Sequence, residues 1–150
     1  IIKKFSELKV GQELFSTCSI SQKELDEYLN FSRVKNAFLD SGADSNFVSG
    51  RAILSRMEGE FTRLSQIYGN LLIFAGTDGD KEWDNRNTRF LKPLQVDEVL
   101  KIKFTISGKE EADDEFGKIF VDFEGTNQQG DLVLLSKKNI YRIKKEPPRG

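Results

Sequence analysis

The sequence contains few side chains that can carry out acid–base chemistry. Its 150 residues include no histidine and a single cysteine, Cys18. Histidine is the commonest proton shuttle at neutral pH and the commonest metal ligand, so we expect no zinc or other metal site. Cys18 lies in an alternating segment, where a buried structural thiol is expected. Proton transfer would then depend on a carboxylate whose pKa is shifted by burial.

Glu58 and Glu60 are carboxylates within a segment of helical periodicity, 49–69. A buried Glu with a raised pKa can act as a general base or as a nucleophile toward an acyl group. Glu60 has Arg56 and Arg63 at helical spacing, which favours an ion pair on the surface. Glu58 has no basic residue four positions away, so it is the better catalytic candidate.

A second set of candidates lies in and after the segment 31–42, FSRVKNAFLDSG, where a helix is expected to end and a loop to begin. The segment holds one amide side chain, Asn36, among apolar residues. Asp40 and Asp44 are carboxylates, and either could act as a base alone. No histidine is present to complete an acid–base pair with them.

Two helices are predicted ahead of a series of strands. The capping-box pattern SQKE, with Ser21 and Glu24 at its ends, predicts the start of the first helix. Apolar residues recur at steps of three and four through 49–69, which predicts the longest helix of the chain, capped by Ser49 and ended by Gly69. Glu58 would lie at the middle of this helix.

The rest of the chain has the pattern of β-strands, predicted at 11–21, 71–76, 87–93, 98–108, 118–128 and 132–145. The continuous apolar run LLIFAG (71–76) predicts a strand that is covered on both faces. A curved antiparallel sheet wrapped around one long central helix buries both elements. The expected fold class is therefore α+β, a single hot-dog domain over 1–145 with a disordered tail at 146–150. Because one flank of the helix stays uncovered, we expect at least a homodimer.

Composition excludes several classes of function. The chain has 23 basic and 24 acidic residues and a net charge of −1, which gives no electrostatic footprint for nucleic acid or an anionic membrane surface. No stretch approaches the ~18 consecutive apolar residues of a membrane span, and the N-terminal residues are too polar for a signal peptide. With its single cysteine, the chain is expected to be cytoplasmic.

Three stretches resemble the MaoC-like hot-dog dehydratases, the enoyl-CoA hydratases and hydroxyacyl-thioester dehydratases, and together they cover nearly the whole chain. NTRFLKPLQVDEVLKIKF (87–104) resembles the family pattern RF-x-x-P-V-x-x-G-D-x-L. The matching residues are Arg89, Phe90, Pro93, Asp97 or Glu98, and Leu100, while the Gly before the acid is missing. GTNQQGDLVL (125–134) is similar to the family's T-x-N-Q-x-G turn, and FSELKVGQEL (5–14) to its opening.

The resemblance places the family's active site in the loop that begins at residue 31. There the family carries D-x-N-P-x-H, whose Asp and His act as acid and base, and then an A-H-G-M-like start to the central helix. Asn36 matches the Asn of that motif and Gly50 matches the Gly. The Asp and His positions read Val34 and Leu39, so the resemblance implies that the hydratase acid–base pair is lost.

The resemblance also implies a ligand, an acyl thioester of CoA or of acyl-carrier protein, and no cofactor. Backbone N–H groups at the start of the central helix would polarise the thioester carbonyl. Arg51 and Arg89 are candidates for contacts with phosphate or pantetheine amides, and Trp83 for the wall of an acyl pocket or an interface. The expected substrate-binding set is Asn36, Leu39, Ser49, Gly50, Arg51 and Arg89.

Three functions remain open from the sequence. The first is a catalytically degenerate hydratase homologue, or a non-catalytic subunit that pairs with an intact hot-dog subunit as a heterodimer. The second is an acyl-CoA thioesterase that uses Glu58. The third is an acyl-CoA sensor or structural module without turnover. The sequence does not determine the length or identity of the acyl group. Nor does it determine whether CoA or acyl-carrier protein carries that group.

Overall fold

The structure is a computed structural model and describes residues 4–34, 47–68, 70–83 and 86–146. Over these residues the helices are α1 (Gln22–Ser32) and α2 (Gly50–Thr62). The strands are β1 (Glu13–Cys18), β2 (Leu72–Thr77), β3 (Thr88–Phe90), β4 (Leu100–Glu111), β5 (Phe116–Thr126) and β6 (Leu132–Lys144). Short 3-10 turns lie at Phe5–Glu7 and Lys81–Trp83.

All six strands join one antiparallel sheet in the order β1-β4-β5-β6-β2, and β3 also pairs with β6. The two short strands share one edge of β6, since β2 pairs with residues 139–143 and β3 with 134–136. Between these stretches the register of β6 against β5 shifts, and Lys138 has a positive φ of 55°. This bulge turns both Ser136 and Asn139 to the buried side of the sheet.

Helix α2 packs its apolar face onto the inner face of the sheet. Phe61 is fully buried, and its ring centroid lies 5.3 Å from Phe104, 5.9 Å from Phe123 and 5.4 Å from Tyr141. Met57, one turn earlier, is also fully buried. The expected α+β architecture, one sheet around one central helix, is confirmed.

The start of α1 confirms the capping box. Glu24 N–H donates to Ser21 Oγ at 3.1 Å, and Ser21 N–H donates to Glu24 Oε1 at 3.0 Å. These hydrogen bonds from Ser21 lower the pKa of Glu24 from its ordinary value. The helix ends at Arg33, which adopts the left-handed conformation with φ 59°.

The central helix begins where predicted, with Ser49 as the residue before its first turn, but it ends earlier than predicted. Its Ser49 side chain makes no capping hydrogen bond, and α2 ends at Thr62, seven positions before Gly69. Residues 63–68 instead form turns with i→i+3 bonds, such as Ile67 N–H to Leu64 O. This path buries Ile67 at 1% exposure and leaves Tyr68, which the predicted face included, 63% exposed.

The prediction that 71–76 is covered on both faces was also wrong. β2 is the last strand at one end of the sheet order, so one of its edges has no partner among the described residues. Ile73 is 45% exposed and Phe74 52% exposed. A continuous apolar run therefore marks an uncovered edge strand here.

Candidate functional site

A pocket of about 560 Å³ lies between α2 and the end of the sheet where β2 and β3 pair with β6. Its apolar lining comes from four different elements, namely Leu54 of α2, Phe74 of β2, Phe90 of β3 and Phe123 of β5. An apolar wall with a few polar groups is typical of small-molecule sites. The pocket is therefore the candidate functional site.

Glu58 is the carboxylate that lines this pocket. The Tyr141 hydroxyl donates a 2.6 Å hydrogen bond to Glu58 Oε2. Burial, together with the Glu58 carboxylate, raises the pKa of Tyr141 above its ordinary value, so this hydroxyl keeps its proton and stays a donor. Among the described residues, Tyr141 is the one hydrogen-bond partner of the Glu58 side chain. Oε1 of Glu58 has no partner among them and can accept a hydrogen bond from a ligand or a water.

A hydrogen-bonded cluster also lines the pocket, through Asn87, Thr88 and Asn139. The Thr88 hydroxyl lies 2.9 Å from Ser136 Oγ, and Asn139 Nδ2 donates to the same Ser136 Oγ at 3.0 Å. Asn87 Nδ2 donates to Asn139 Oδ1 at 3.3 Å. Ser136 and Asn139 are buried, so these contacts satisfy side chains that water does not reach. The cluster fixes the polar side of the pocket.

Three of the expected binding residues lie at the start of α2. Arg51 lines the pocket, whereas Gly50 lies in a neighbouring groove of about 280 Å³ that shares Phe90 with it. A Cβ added to Gly50 would lie 2.5 Å from the Phe90 ring, so only glycine allows this approach of α2 to β3. Ser49 is the residue before the helix.

The remaining sequence-based candidates fall in different places. Arg89 lies outside the pocket, with its guanidinium carbon 4.3 Å from the centre of the Trp83 ring. Val34 is 42% exposed, so it does not pack in the core. Asn36, Leu39, Asp40 and Asp44 lie outside the described residues. The structure thus brings Glu58 and Arg51 together in one pocket.

Sequence reasoning missed the partners of Glu58 and the polar cluster. Tyr141, Thr88 and Asn139 each read as ordinary strand residues, and their convergence depends on the bulge in β6. In NTRF (87–90), the family pattern matches only Arg89 and Phe90, so it assigns no role to Asn87 or Thr88. No periodic pattern in β6 marks Tyr141 or Asn139, because the bulge at Lys138 interrupts the alternation of the strand.

A separate network joins α1, α2 and β1 on the other side of the central helix. Arg56 Nε lies 3.0 Å from Glu60 Oε1, which confirms the predicted ion pair, and Arg56 also contacts Glu24 at 2.9 Å. Ser16 Oγ donates to Glu60 at 3.1 Å. Because Arg56 and Ser16 both hold its carboxylate, Glu60 is a structural residue. Burial raises the pKa of the nearby Cys18 thiol to about 11.

Two other features are absent from the residues that the structure describes. No group of three or more His, Cys, Asp or Glu side chains is arranged to hold a metal ion there. Nor is any of its helices both long and apolar enough to cross a lipid bilayer.

Comparison with known proteins gives structural matches only. Neither a family model nor a curated protein sequence matches the chain. The chain is similar to a monoamine oxidase regulatory protein from Archaeoglobus fulgidus, with TM-score 0.75, 17% identity and 97% of each chain covered. An unliganded R-hydratase from Pseudomonas aeruginosa gives TM-score 0.67 and 17% identity over 97% of this chain and 86% of that one.

A third solved structure is a hypothetical thioesterase from Streptococcus pneumoniae with coenzyme A. It gives TM-score 0.54 and 14% identity over 96% of this chain and 86% of that one. Further matches include MaoC-like dehydratases. The chain therefore has the hot-dog fold that R-hydratases and MaoC-like dehydratases share, as the sequence resemblance predicted.

Proposed function

We propose that this chain binds an acyl thioester and that the acyl group occupies the pocket between α2 and the sheet. The observation that carries the proposal is the apolar wall of Leu54, Phe74, Phe90 and Phe123 in a pocket of about 560 Å³. The fold supports it, since a solved structure of the same fold holds coenzyme A. Apolar contact removes the acyl chain from water, which stabilises binding by about 25 cal/mol per Å² buried.

The hydratase reaction is not proposed for this chain. The resemblance puts the family's Asp and His at Val34 and Leu39, and the sequence has no histidine. The proposed role is that of a degenerate homologue or of a non-catalytic subunit that accompanies an intact hot-dog hydratase. Brisk hydration of crotonyl-CoA by the purified chain would contradict this role, and co-purification with an intact family member would favour the subunit.

Thermal unfolding with a panel of acyl-CoA esters from acetyl to decanoyl tests the binding. A ligand at a hundred times its dissociation constant stabilises the native state by about 2.7 kcal/mol, which raises Tm by about 5 °C or more. Phe74→Ala, in the pocket wall, should weaken this shift. Phe15→Ala on β1 is the matched control, because Phe15 is 65% exposed at the other end of the sheet. No shift with any ester would refute the proposal.

A thioesterase reaction is the second candidate, because Glu58 lines the pocket with Oε1 available. As general base, the carboxylate would take a proton from a water that attacks the thioester carbonyl carbon. The C–S bond then breaks, and the products are a carboxylic acid and the thiol, which receives the proton. As nucleophile, Oε1 would attack the carbonyl carbon, and the C–S bond would break to release the thiolate, which takes a proton from solvent. Water would then hydrolyse the mixed anhydride to the carboxylic acid and the free Glu58 carboxylate.

Thiol release from the same acyl-CoA panel tests this reaction. Glu58→Gln keeps an acceptor for Tyr141 but removes the base, so release should fall by at least about a hundredfold. Glu27→Gln makes the same chemical change on the exposed face of α1 and should leave release unaltered. Thiol release that persists in Glu58→Gln would exclude Glu58 as the catalytic group. If the unmodified chain releases no thiol, the thioesterase reaction is refuted and only the proposed acyl binding remains.

The binding protein is proposed to be a dimer, with a second copy of the chain paired along β2. This edge strand exposes Ile73 and Phe74, and Leu71 before it is 48% exposed. Because Phe74 and Thr77 of β2 also line the pocket, a partner at this edge would lie beside the bound acyl group.

A further inference from the structure

We propose that this chain has a second binding site, a polar pocket before the start of β4 that takes a ligand with uncharged amide groups, the chemistry of a peptide segment. The pocket has a volume of about 490 Å³ and lies between the segment 92–98 and the turn that follows β5. It shares no lining residue with the acyl pocket of about 560 Å³, so this site does not depend on acyl binding.

Asn127 is a buried residue of this pocket, and its amide oxygen is fixed by the turn between β5 and β6. The backbone N–H groups of Gln129 and Asp131 both donate to Asn127 Oδ1 at 3.0 Å. Only the oxygen of an asparagine amide can accept these bonds, so the other atom of the planar group must be Nδ2. The turn is closed by Asn127 N–H to Asp131 O and by Gly130 N–H to Asn127 O, both at 3.0 Å. The orientation of the Asn127 amide is therefore determined.

The amide nitrogen of Asn127 has no hydrogen-bond partner among the described residues, although Asn127 is only 8% exposed. A buried N–H donor without a partner is costly, and native proteins pair the large majority of such groups. Because Asn127 lines the pocket, an acceptor bound there would satisfy its Nδ2. A carbonyl oxygen is such an acceptor.

The charges around the pocket disfavour an anionic ligand. Lys92 lies 3.4 Å from Asp131 and is already paired, and Glu98 accepts the N–H of Gln95 at 3.0 Å. Among the described residues, the carboxylate of Asp97 has neither an ion pair nor a hydrogen bond. Lys92, Asp97 and Glu98 are the titratable residues of the lining, so negative charge is in excess. A phosphate or a carboxylate would be repelled there, whereas an amide N–H can donate to Asp97.

The backbone of Asp97 is held in a conformation that favours glycine. Its φ is 65°, in the left-handed region, and its N–H donates to Ile20 O at 2.9 Å. In the pattern RF-x-x-P-V-x-x-G-D-x-L, the glycine falls at Asp97 when Glu98 and Leu100 match the acid and the leucine. This chain thus carries a carboxylate where glycine would be less strained, and strained residues cluster at ligand sites. The pocket wall gains that carboxylate as a feature of this chain rather than of the pattern.

The remaining lining also suits a peptide. Three exposed carboxamide side chains line the pocket, namely Gln95, Gln128 and Gln129. A carboxamide both donates and accepts, which matches the N–H and C=O of a peptide group. Apolar contact for small side chains comes from Phe47, Pro93 and Val96. A peptide segment without acidic residues therefore fits both the polar and the apolar parts of the lining.

NMR titration of the ¹⁵N-labelled chain with two short peptides tests the site. Acetyl-Ala-Ala-amide is neutral, and acetyl-Ala-Ala is the same peptide with a free carboxylate. The neutral peptide should shift the side-chain NH₂ signals of Asn127. The free acid should bind at least about tenfold more weakly, because its carboxylate meets the negative lining.

Two variants separate the donor from the charge. Asn127→Asp keeps an acceptor for the two backbone N–H groups of the turn but removes the donor, so it should weaken the neutral peptide by at least about tenfold. Asp97→Gly should raise Tm, because glycine relieves the left-handed strain, and should narrow the difference in affinity between the two peptides. Asp114→Gly makes the same change in the exposed turn after the other end of β4, and should leave the binding of both peptides unaltered.

The outcomes distinguish this site from water binding and from the acyl pocket. If neither peptide shifts the Asn127 signals at tens of millimolar, water alone satisfies Nδ2 and the site is refuted. Equal affinity for the two peptides, or binding that Asn127→Asp leaves unchanged, would also refute it. Displacement of the neutral peptide by octanoyl-pantetheine would make the pocket part of the acyl site and overturn a second site. Peptide binding by a chain that binds no acyl-CoA ester would support this site and refute only the acyl pocket.

Discussion

The Tyr141 hydroxyl and the Glu58 carboxylate lie 2.6 Å apart, and this contact joins the last strand of the sheet to the middle of the central helix. Tyr141 is only 2% exposed, whereas Glu58 is half-buried and lines the pocket, so the hydrogen bond runs from the core to the pocket wall. It fixes the carboxylate at the side of the pocket. The same contact therefore serves the packing of α2 and the orientation of the candidate catalytic group.

A double-mutant cycle measures this contact. Tyr141→Phe removes the donor and should lower the free energy of unfolding by about 1.5–3 kcal/mol, because the lost bond has an ionised acceptor. Combined with Glu58→Leu, it should show a coupling energy between about 0.5 and 3 kcal/mol in urea unfolding. Strictly additive effects of the two changes would mean that the hydrogen bond contributes nothing in solution.

The capping box of α1 predicts a pH-dependent effect on stability. Ser21→Ala removes a side-chain acceptor for the N–H of Glu24 and should cost about 1 kcal/mol at neutral pH. The pKa of Glu24 is lowered in the folded state, so the contribution of its carboxylate is present above its ordinary pKa of 4.5 and is lost as the pH falls through the lowered value. Urea unfolding of the Ser21→Ala and Glu24→Gln chains from pH 7 to pH 3 would check both points. A Glu24→Gln penalty that stayed constant down to pH 3 would contradict the assignment.

Cys18 should react slowly with thiol reagents in the folded protein. Burial raises the pKa of its thiol from 9.0 to about 11, so at pH 8 the thiolate fraction, and the rate, should be about a hundredfold lower than for a free cysteine. The rate of reaction with a disulfide reagent at pH 8 measures this directly. The same chain in guanidinium chloride is the control and should react at the ordinary rate; equal rates in the two conditions would show that Cys18 is accessible.

The edge strand β2 makes a prediction about oligomeric state. Ile73→Lys places a charge on this edge, where natural edge strands use lysine to prevent pairing, and should convert a dimer to a monomer in sedimentation experiments. Phe15→Lys is the matched change on β1, the other end of the sheet, and should leave the dimer intact. If only Phe15→Lys dissociates the dimer, the dimer interface lies at β1 and not at β2.

The aromatic core under α2 predicts a large loss of stability on truncation. Phe61→Ala removes a fully buried ring that contacts three strands and should cost about 3–5 kcal/mol. Phe31→Ala, by contrast, changes a side chain that is 88% exposed and should alter stability by less than about 0.5 kcal/mol. Denaturant unfolding of both chains gives the comparison, and a small effect of Phe61→Ala would mean that α2 does not pack as described.

Local sequence patterns predicted the helices and strands well where an element buries one face and exposes the other. The alternation in β4 and the apolar steps before Phe61 follow directly from burial against a single layer, and the box at Ser21 and Glu24 is a short-range hydrogen-bond pattern. The edge position of β2 could not be predicted in this way. An apolar run has the same pattern whether the protein's own chain or another chain covers it.

The site was predicted only in part because it depends on contacts far apart in the sequence. Glu58 was selected for its lack of a helical partner, and it does line the pocket. Its partner Tyr141 is 83 positions away, and the orientation of Asn139 depends on the bulge at Lys138. Neither relationship leaves a periodic pattern that the sequence alone would reveal.

Phe90 separates two cavities, since its ring lines both the pocket of about 560 Å³ and the groove of about 280 Å³ next to Gly50. In the proposed acyl complex, this partition would set how far the acyl chain extends. A smaller side chain at position 90 would merge the two spaces into one longer channel, so chain-length preference in this protein would be controlled by a single aromatic ring.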